Sequence, residues 1–160
     1  MGASGRVGAA TRLGDRTVTG ERRRYTDKVP ERIEVRTRAL CLDLPEAHEE
    51  RAWVGTRWKV RKRTFAHVLG VEDAEDGSMV VLAFRSQGEE LEALRNTGRP
   101  FLVLGWGRDA IGMVLDETTD WDEVRELVTE SYCIMAPRKL VALVVRPDEG
   151  KDDSPGQQRP

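Results

Sequence analysis

Apolar positions change their period along the chain, and the changes outline a folded middle between two polar ends. After Val29-Pro30-Glu31-Arg32, where Pro30 suits a first helical turn, Ile33, Val35, Ala39 and Leu40 form an imperfect helical stripe that Leu44-Pro45 ends. The pattern then becomes extended. Trp58 to Val60, Phe65 to Val71 and, after the Glu75-Asp76-Gly77-Ser78 turn, Met79 to Phe84 are predicted strands. Gln87-Gly88-Glu89-Glu90 opens a short helix carrying Leu91 and Leu94, which Asn96-Thr97-Gly98 stops. Phe101 to Leu104 and Ala110 to Leu115 are two more strands around the Gly105-Trp106-Gly107-Arg108-Asp109 turn.

The sharpest helical signal follows. Asp120 is a predicted N-cap, Asp122 and Glu123 oppose the helix dipole, and Trp121, Val124, Leu127 and Val128 recur on one face. Pro137 interrupts this helix and begins another carrying Leu140, Val141, Leu143 and Val144. Helix, strands, helix, strands, helix, helix predicts an α+β fold, an antiparallel β-sheet backed by helices, because a sheet with an apolar face needs helices to cover it.

Outside this pattern burial fails. Residues 1–28 hold scattered glycines and arginines and almost no large apolar side chain, so a disordered basic arm is expected there. Ten basic against five acidic residues up to Arg38 give that end a local surplus of cations. A single domain is expected over 29–146, and a disordered polar tail over 147–160.

Composition adds exclusions. No apolar run approaches the roughly 20 residues of a spanning helix, and no apolar segment follows the early arginines as in a targeting peptide, so a cytoplasmic, monomeric protein without membrane contact is expected. Cys41 and Cys133, the two thiols, sit among apolar neighbours and read as buried and reduced. His48 and His67 show no ligand spacing, so neither a metal nor another cofactor is expected.

Charge gives the one candidate surface. Between Arg51 and Arg63 there are six basic residues and no acidic one, in a chain whose net charge is -2. Arg57, Lys59, Arg61, Lys62 and Arg63 read as an extended cationic ribbon, and Arg138-Lys139 adds a second basic pair. As phosphate contacts these residues would position a duplex without reading its bases; as ordinary exposed cations they would protect a sheet edge from unwanted pairing. Nineteen acidic against ten basic residues from Phe65 onward require any polyanion to bind on one side only.

Aromatic residues divide by context. Trp121 and Tyr132, with Pro137, read as structural supports, whereas Trp106 between glycines is a candidate partner contact in a turn. Ser131 and Tyr132 have no nearby histidine or activating base, so catalysis is not expected. Asp73, Asp76, Asp116 and Glu117 read as turn carboxylates rather than a metal site.

Arg57-Trp58-Lys59-Val60-Arg61-Lys62-Arg63-Thr64-Phe65-Ala66, then Gly112, Asp120-Trp121-Asp122-Glu123-Val124, and Ser131-Tyr132-Cys133-Ile134-Met135-Ala136-Pro137-Arg138-Lys139-Leu140 resemble the MmcQ/YjbR-like family of proteins predicted to bind DNA. Leu44-Pro45-Glu46 resembles that family's early Leu-Pro segment, and the likeness spans about Glu31 to Val144. It departs at Lys62, where the family usually has glycine. The resemblance implies a CyaY-like α+β domain and double-stranded DNA as partner, with the cationic strand and turn as the contact. A protein-interaction or structural module using Trp106 or a sheet edge is the alternative.

Overall fold

One eleven-residue strand has three neighbours, and the rest of the protein is arranged about it. The computed structural model describes residues 23–144, in the order β1 Arg23–Thr26, α1 Glu31–Leu42, β2 Ala47–Arg51, β3 Thr56–Val60, β4 Arg63–Asp73, β5 Gly77–Arg85, α2 Gly88–Thr97, β6 Phe101–Val103, β7 Ala110–Leu115, α3 Trp121–Met135 and α4 Arg138–Val141. The fold is α+β. Six strands run β2-β3-β4-β5-β7-β6 through one antiparallel sheet, and β1 pairs with β4 beside that path. β3 and β1 share one edge of β4: Thr56 lies opposite Val68, and Thr26 opposite Gly70.

The core has two parts, one on each sheet face. On the first, Trp58, Val60, Phe65, Val68, Leu82, Phe84, Ile111 and Met113 pack with residues of all four helices. α3 supplies Val124, Leu127, Val128 and Tyr132, the row expected from spacings of three and four residues. Its start is fixed by Asp120, whose Oδ1 accepts from the backbone N–H groups of Asp122 and Glu123. The smaller cluster on the second face holds Val71, Val81, Ala83, Leu104 and Val114, with Tyr25 and Trp106 packed against it. Burial on both faces explains why Val81–Phe84 reads as a continuous apolar run.

Several expectations are revised. Arg23–Thr26, placed by sequence in the basic arm, is a strand, and Arg23 joins Asp73 at 3.4 Å and the Val103 carbonyl at 3.2 Å. The remainder of the expected arm, 1–22, and residues 145–160, which include the expected tail, lie outside the described residues. β2 was unforeseen, because Ala-His-Glu-Glu-Arg carries no apolar alternation. Trp121 is half-buried rather than enclosed: it stands at the first position of α3, and the Arg36 guanidinium covers its ring at 4.9 Å. Tyr132 is a buried support as read, its ring edge-on to Phe65 and its hydroxyl donating to the Pro45 carbonyl at 2.6 Å. Pro137 caps α4.

Ser131 has a backbone task. The β3–β4 ladder shifts register at Trp58/Lys59, leaving Phe65 outside the pairing. Ser131 Oγ donates to the Phe65 carbonyl at 2.7 Å and accepts from the Arg85 N–H at 2.8 Å, so one hydroxyl satisfies two backbone groups.

Candidate functional site

The cationic ribbon is divided by the hairpin that carries it. Val60 pairs with Arg63, leaving Arg61 and Lys62 as a two-residue turn, and Arg61 takes the left-handed conformation at φ 57°. The family's glycine position, Lys62, is not the left-handed one here. By register Arg57 and Lys59 lie on the second sheet face, opposite His67 and Thr64, while Arg63 lies on the helix side with Val60. A single extended row is therefore broken.

The unforeseen β2 also changes the charge of the ribbon. Pairing Glu50 with Arg57 and Glu49 with Trp58 sets an acidic strand beside the basic one. Glu50 Oε1 receives Arg57 Nη2 at 3.0 Å and Lys59 Nζ at 3.2 Å, and these two partners hold its carboxyl below the usual carboxylate range, Lys59 contributing most. Arg61 pairs with Glu46 at 3.0 Å. Glu49 turns the other way, accepting from Arg38 at 2.7 Å and from the Trp58 indole at 3.0 Å, and the Arg38 bond lowers its pKa. Three of the seven predicted basic residues thus carry a carboxylate.

Lys62, Arg63, Arg138 and Lys139 have no ion-pair partner among the described residues. Contacts tie the two segments that carry them to one another. Tyr132, in the last turn of α3, reaches the Pro45 carbonyl; Glu46 follows and holds Arg61 in the hairpin turn; α4 begins just beyond α3. Two basic segments some 75 positions apart in sequence are thereby linked by a relay of contacts through Glu46, Pro45 and Tyr132.

A second feature went unread. Trp106 does not project from its turn but lies over the second sheet face, with ring centroids 5.6 Å from Tyr25, 5.5 Å from His67 and 6.3 Å from Trp53. Trp53, in the β2–β3 turn, is 61% exposed. His67 holds that turn down: its Nε2 lies 2.7 Å from the Val54 carbonyl, which can only accept, so Nε2 carries the proton and Nδ1 is the acceptor. Burial lowers the His67 pKa, and the ring is neutral at pH 7. Gly55 closes the turn at φ 75°, where a Cβ would lie 2.1 Å from the Val68 carbonyl oxygen. Gly112, in β7, leaves room for Val81 and Leu104 of the second-face cluster, whose side-chain carbons would lie 3.0 and 3.1 Å from a Cβ there.

This aromatic cluster gave little local signal, because its members come from four separate segments. The available hint was His67 among apolar neighbours, at a position whose strand partner is the basic Arg57. The other sequence candidates resolve structurally: Asp73 Oδ1 accepts from the Glu75 and Asp76 N–H groups, Asp116 Oδ1 from the Thr118 N–H and hydroxyl, and neither cysteine is in a disulfide. No helix among the described residues is long and apolar enough to cross a membrane.

The YjbR family model matches residues 42–134, more than half of the chain, from the end of α1 to the last turn of α3. No curated protein and no solved structure matches the chain.

Proposed function

We propose that this chain, which belongs to the YjbR family, binds double-stranded DNA through phosphate contacts at the end of the domain formed by the β3–β4 turn and α4, and works by binding alone. The observation that supports this reading is that Lys62, Arg63, Arg138 and Lys139, the candidates without a carboxylate partner, flank the contacts Arg61–Glu46 and Pro45–Tyr132 that tie the hairpin turn to the end of α3. Arg57, Lys59 and Arg61 have a smaller part in the duplex contact, because two carboxylates, Glu50 and Glu46, offset two of their three charges. The CyaY-like arrangement and a duplex partner belong to this proposal.

Flexible cations on a turn and a short helix match a sugar-phosphate backbone, which needs positive charge at intervals and no rigid donor pattern. Affinity without marked sequence preference follows. The acidic remainder of the protein keeps the duplex on this side and lowers the affinity for long arrays of phosphate.

Titration of a labelled duplex at rising salt tests the reading. Four phosphate contacts give a log-log slope of about -3.6, and each charge removed takes about 0.9 from it. Changing Lys62, Arg63, Arg138 and Lys139 together to glutamate abolishes binding while circular dichroism is unchanged. No measurable affinity of the unaltered protein at low salt overturns the proposal.

A further inference from the structure

The second sheet face is covered unevenly. Leu104, Tyr25 and Trp106 pack over the part that holds Val71, Val81 and Val114, but no helix among the described residues packs on the part that carries Arg57, Thr64, His67 and Arg85. There the surface dips into a pocket of about 160 Å³ bounded by Arg57, His67, Arg85 and Trp106, with Ala83 and Ala110 among its small lining residues. Thr64, one of its lining residues, follows Arg63 in β4 but points to the opposite sheet face, so a strand reaching from the pocket to the cationic end passes over the sheet end at the β3–β4 turn.

Its chemistry is of two kinds. Trp106 lines the pocket, and Trp53, outside the lining, packs against Trp106 and His67 at its rim; an indole left 61% exposed beside three other rings is a surface that a flat partner would cover. The two guanidinium groups stand on either side with donors to spare. Arg57 uses Nε and Nη2 on Glu50, leaving Nη1; Arg85 uses Nη1 on Asp109 at 2.7 Å, leaving Nε and Nη2. Those carboxylates are occupied, and Glu50 serves Lys59 as well, so the two ion-pair groups together keep a surplus of one positive charge. Between the cations the His67 Nδ1 is an acceptor for an N–H donor.

Size limits the ligand. Pockets that enclose a whole small molecule run to about 300–1,000 Å³. This one takes a single group, with the rest of the ligand lying across the surface toward the phosphate-binding end.

We propose that the open part of the second sheet face receives one unpaired nucleotide, its base against Trp106 and Trp53 and its phosphate between Arg57 and Arg85. The assignment rests on the nucleic-acid reading above and deepens it: the duplex lies along Lys62, Arg63, Arg138 and Lys139, and a gap, bulge or frayed end supplies the base. The same chemistry is carried by a free mononucleotide, but the pocket's size favours a residue within a strand.

The test compares the full chain's affinity for an intact duplex, for the same duplex with a three-nucleotide single-stranded gap, and for adenosine monophosphate. The gapped duplex binds about tenfold more tightly, the effect of one stacked base. Trp53→Ala and Arg85→Gln each remove most of that preference and leave intact-duplex affinity unchanged; both side chains are exposed enough for the fold to persist. Reversing the four end cations weakens both duplexes alike. Equal affinity for gapped and intact duplex, or a preference that survives both variants, overturns this inference and leaves the duplex reading standing. Mononucleotide binding lost in Arg85→Gln, with neither duplex bound, keeps the pocket assignment for a free ligand and overturns the duplex reading. Failure of all three ligands to bind overturns both.

Discussion

Glu46 and Arg61 are the two non-glycine residues with positive φ among the described residues, at 58° and 57°, and their side chains pair with each other at 3.0 Å. Both precede a strand pair that they close: Glu46 leads into β2 and Arg61 opens the β3–β4 turn, so the ion pair bridges two left-handed bends at the cationic end. An exposed pair of this kind contributes little by itself, about 0–1 kcal/mol. The backbone cost of a left-handed L-residue is comparable, about 1–2 kcal/mol.

Arg61→Gly is therefore expected to be more stable than Arg61→Ala by about 1 kcal/mol, since both lose the pair and glycine alone is released from the left-handed penalty. Urea unfolding of the two variants measures it. Equal midpoints would show that the turn does not hold this conformation.

Ser131→Ala is expected to destabilise by about 1–3 kcal/mol, because it strands the Phe65 carbonyl and the Arg85 N–H at the register shift. Ser131→Thr keeps the hydroxyl and separates this effect from packing. A loss below about 0.5 kcal/mol for the alanine variant would mean that water replaces the hydroxyl at both groups.

His67 sets an acid-side limit on stability. Burial lowers its folded pKa from the ordinary 6.5, so below that pH the unfolded chain takes up a proton that the folded chain resists. Stability then falls as pH drops from about 6.5 through the lower folded value, and nothing is gained above 6.5. In His67→Gln, which can still donate to the Val54 carbonyl, this part of the pH profile becomes flat. Asp73 and Asp116, whose folded pKa values are depressed by the N–H and hydroxyl groups they accept from, act only further down, between the ordinary carboxylate range and their lowered values.

The cysteines should differ in reactivity. Cys41 is fully buried and its thiol pKa is pushed up by that burial, whereas Cys133 is half-buried. Alkylation of the native protein followed by mass analysis is expected to modify Cys133 first and Cys41 only after denaturant is added. Comparable rates would place Cys41 at the surface.

Elements that bury their own apolar pattern were legible in the sequence. α3 declares itself through Asp120 and the Val124, Leu127 and Val128 spacing, and β5 through its unbroken apolar run. β1 and β2 did not, because Arg-Arg-Tyr-Thr and Ala-His-Glu-Glu-Arg owe their place to partners across a ladder rather than to a buried face of their own. The candidate site divides in the same way. Basic residues are visible wherever they occur, but the pairing of Glu50 with Arg57 and of Glu46 with Arg61 follows from register across turns. Tyr25, Trp53, His67 and Trp106 meet only once the sheet exists.

The shared edge of β4 matters for where this chain can be shortened. A polypeptide beginning at Val29, the boundary that hydrophobic patterning proposes, keeps every helix and six of the seven strands, but strips β1 from Gly70–Asp73. What remains there is a run of bare amide and carbonyl groups beside β3, long enough to accept a strand from another molecule. Arg23–Thr26 thus acts as a guard against self-association: four residues, of which Tyr25 alone packs against the core, decide whether the shortened protein stays dispersed or zips edge to edge.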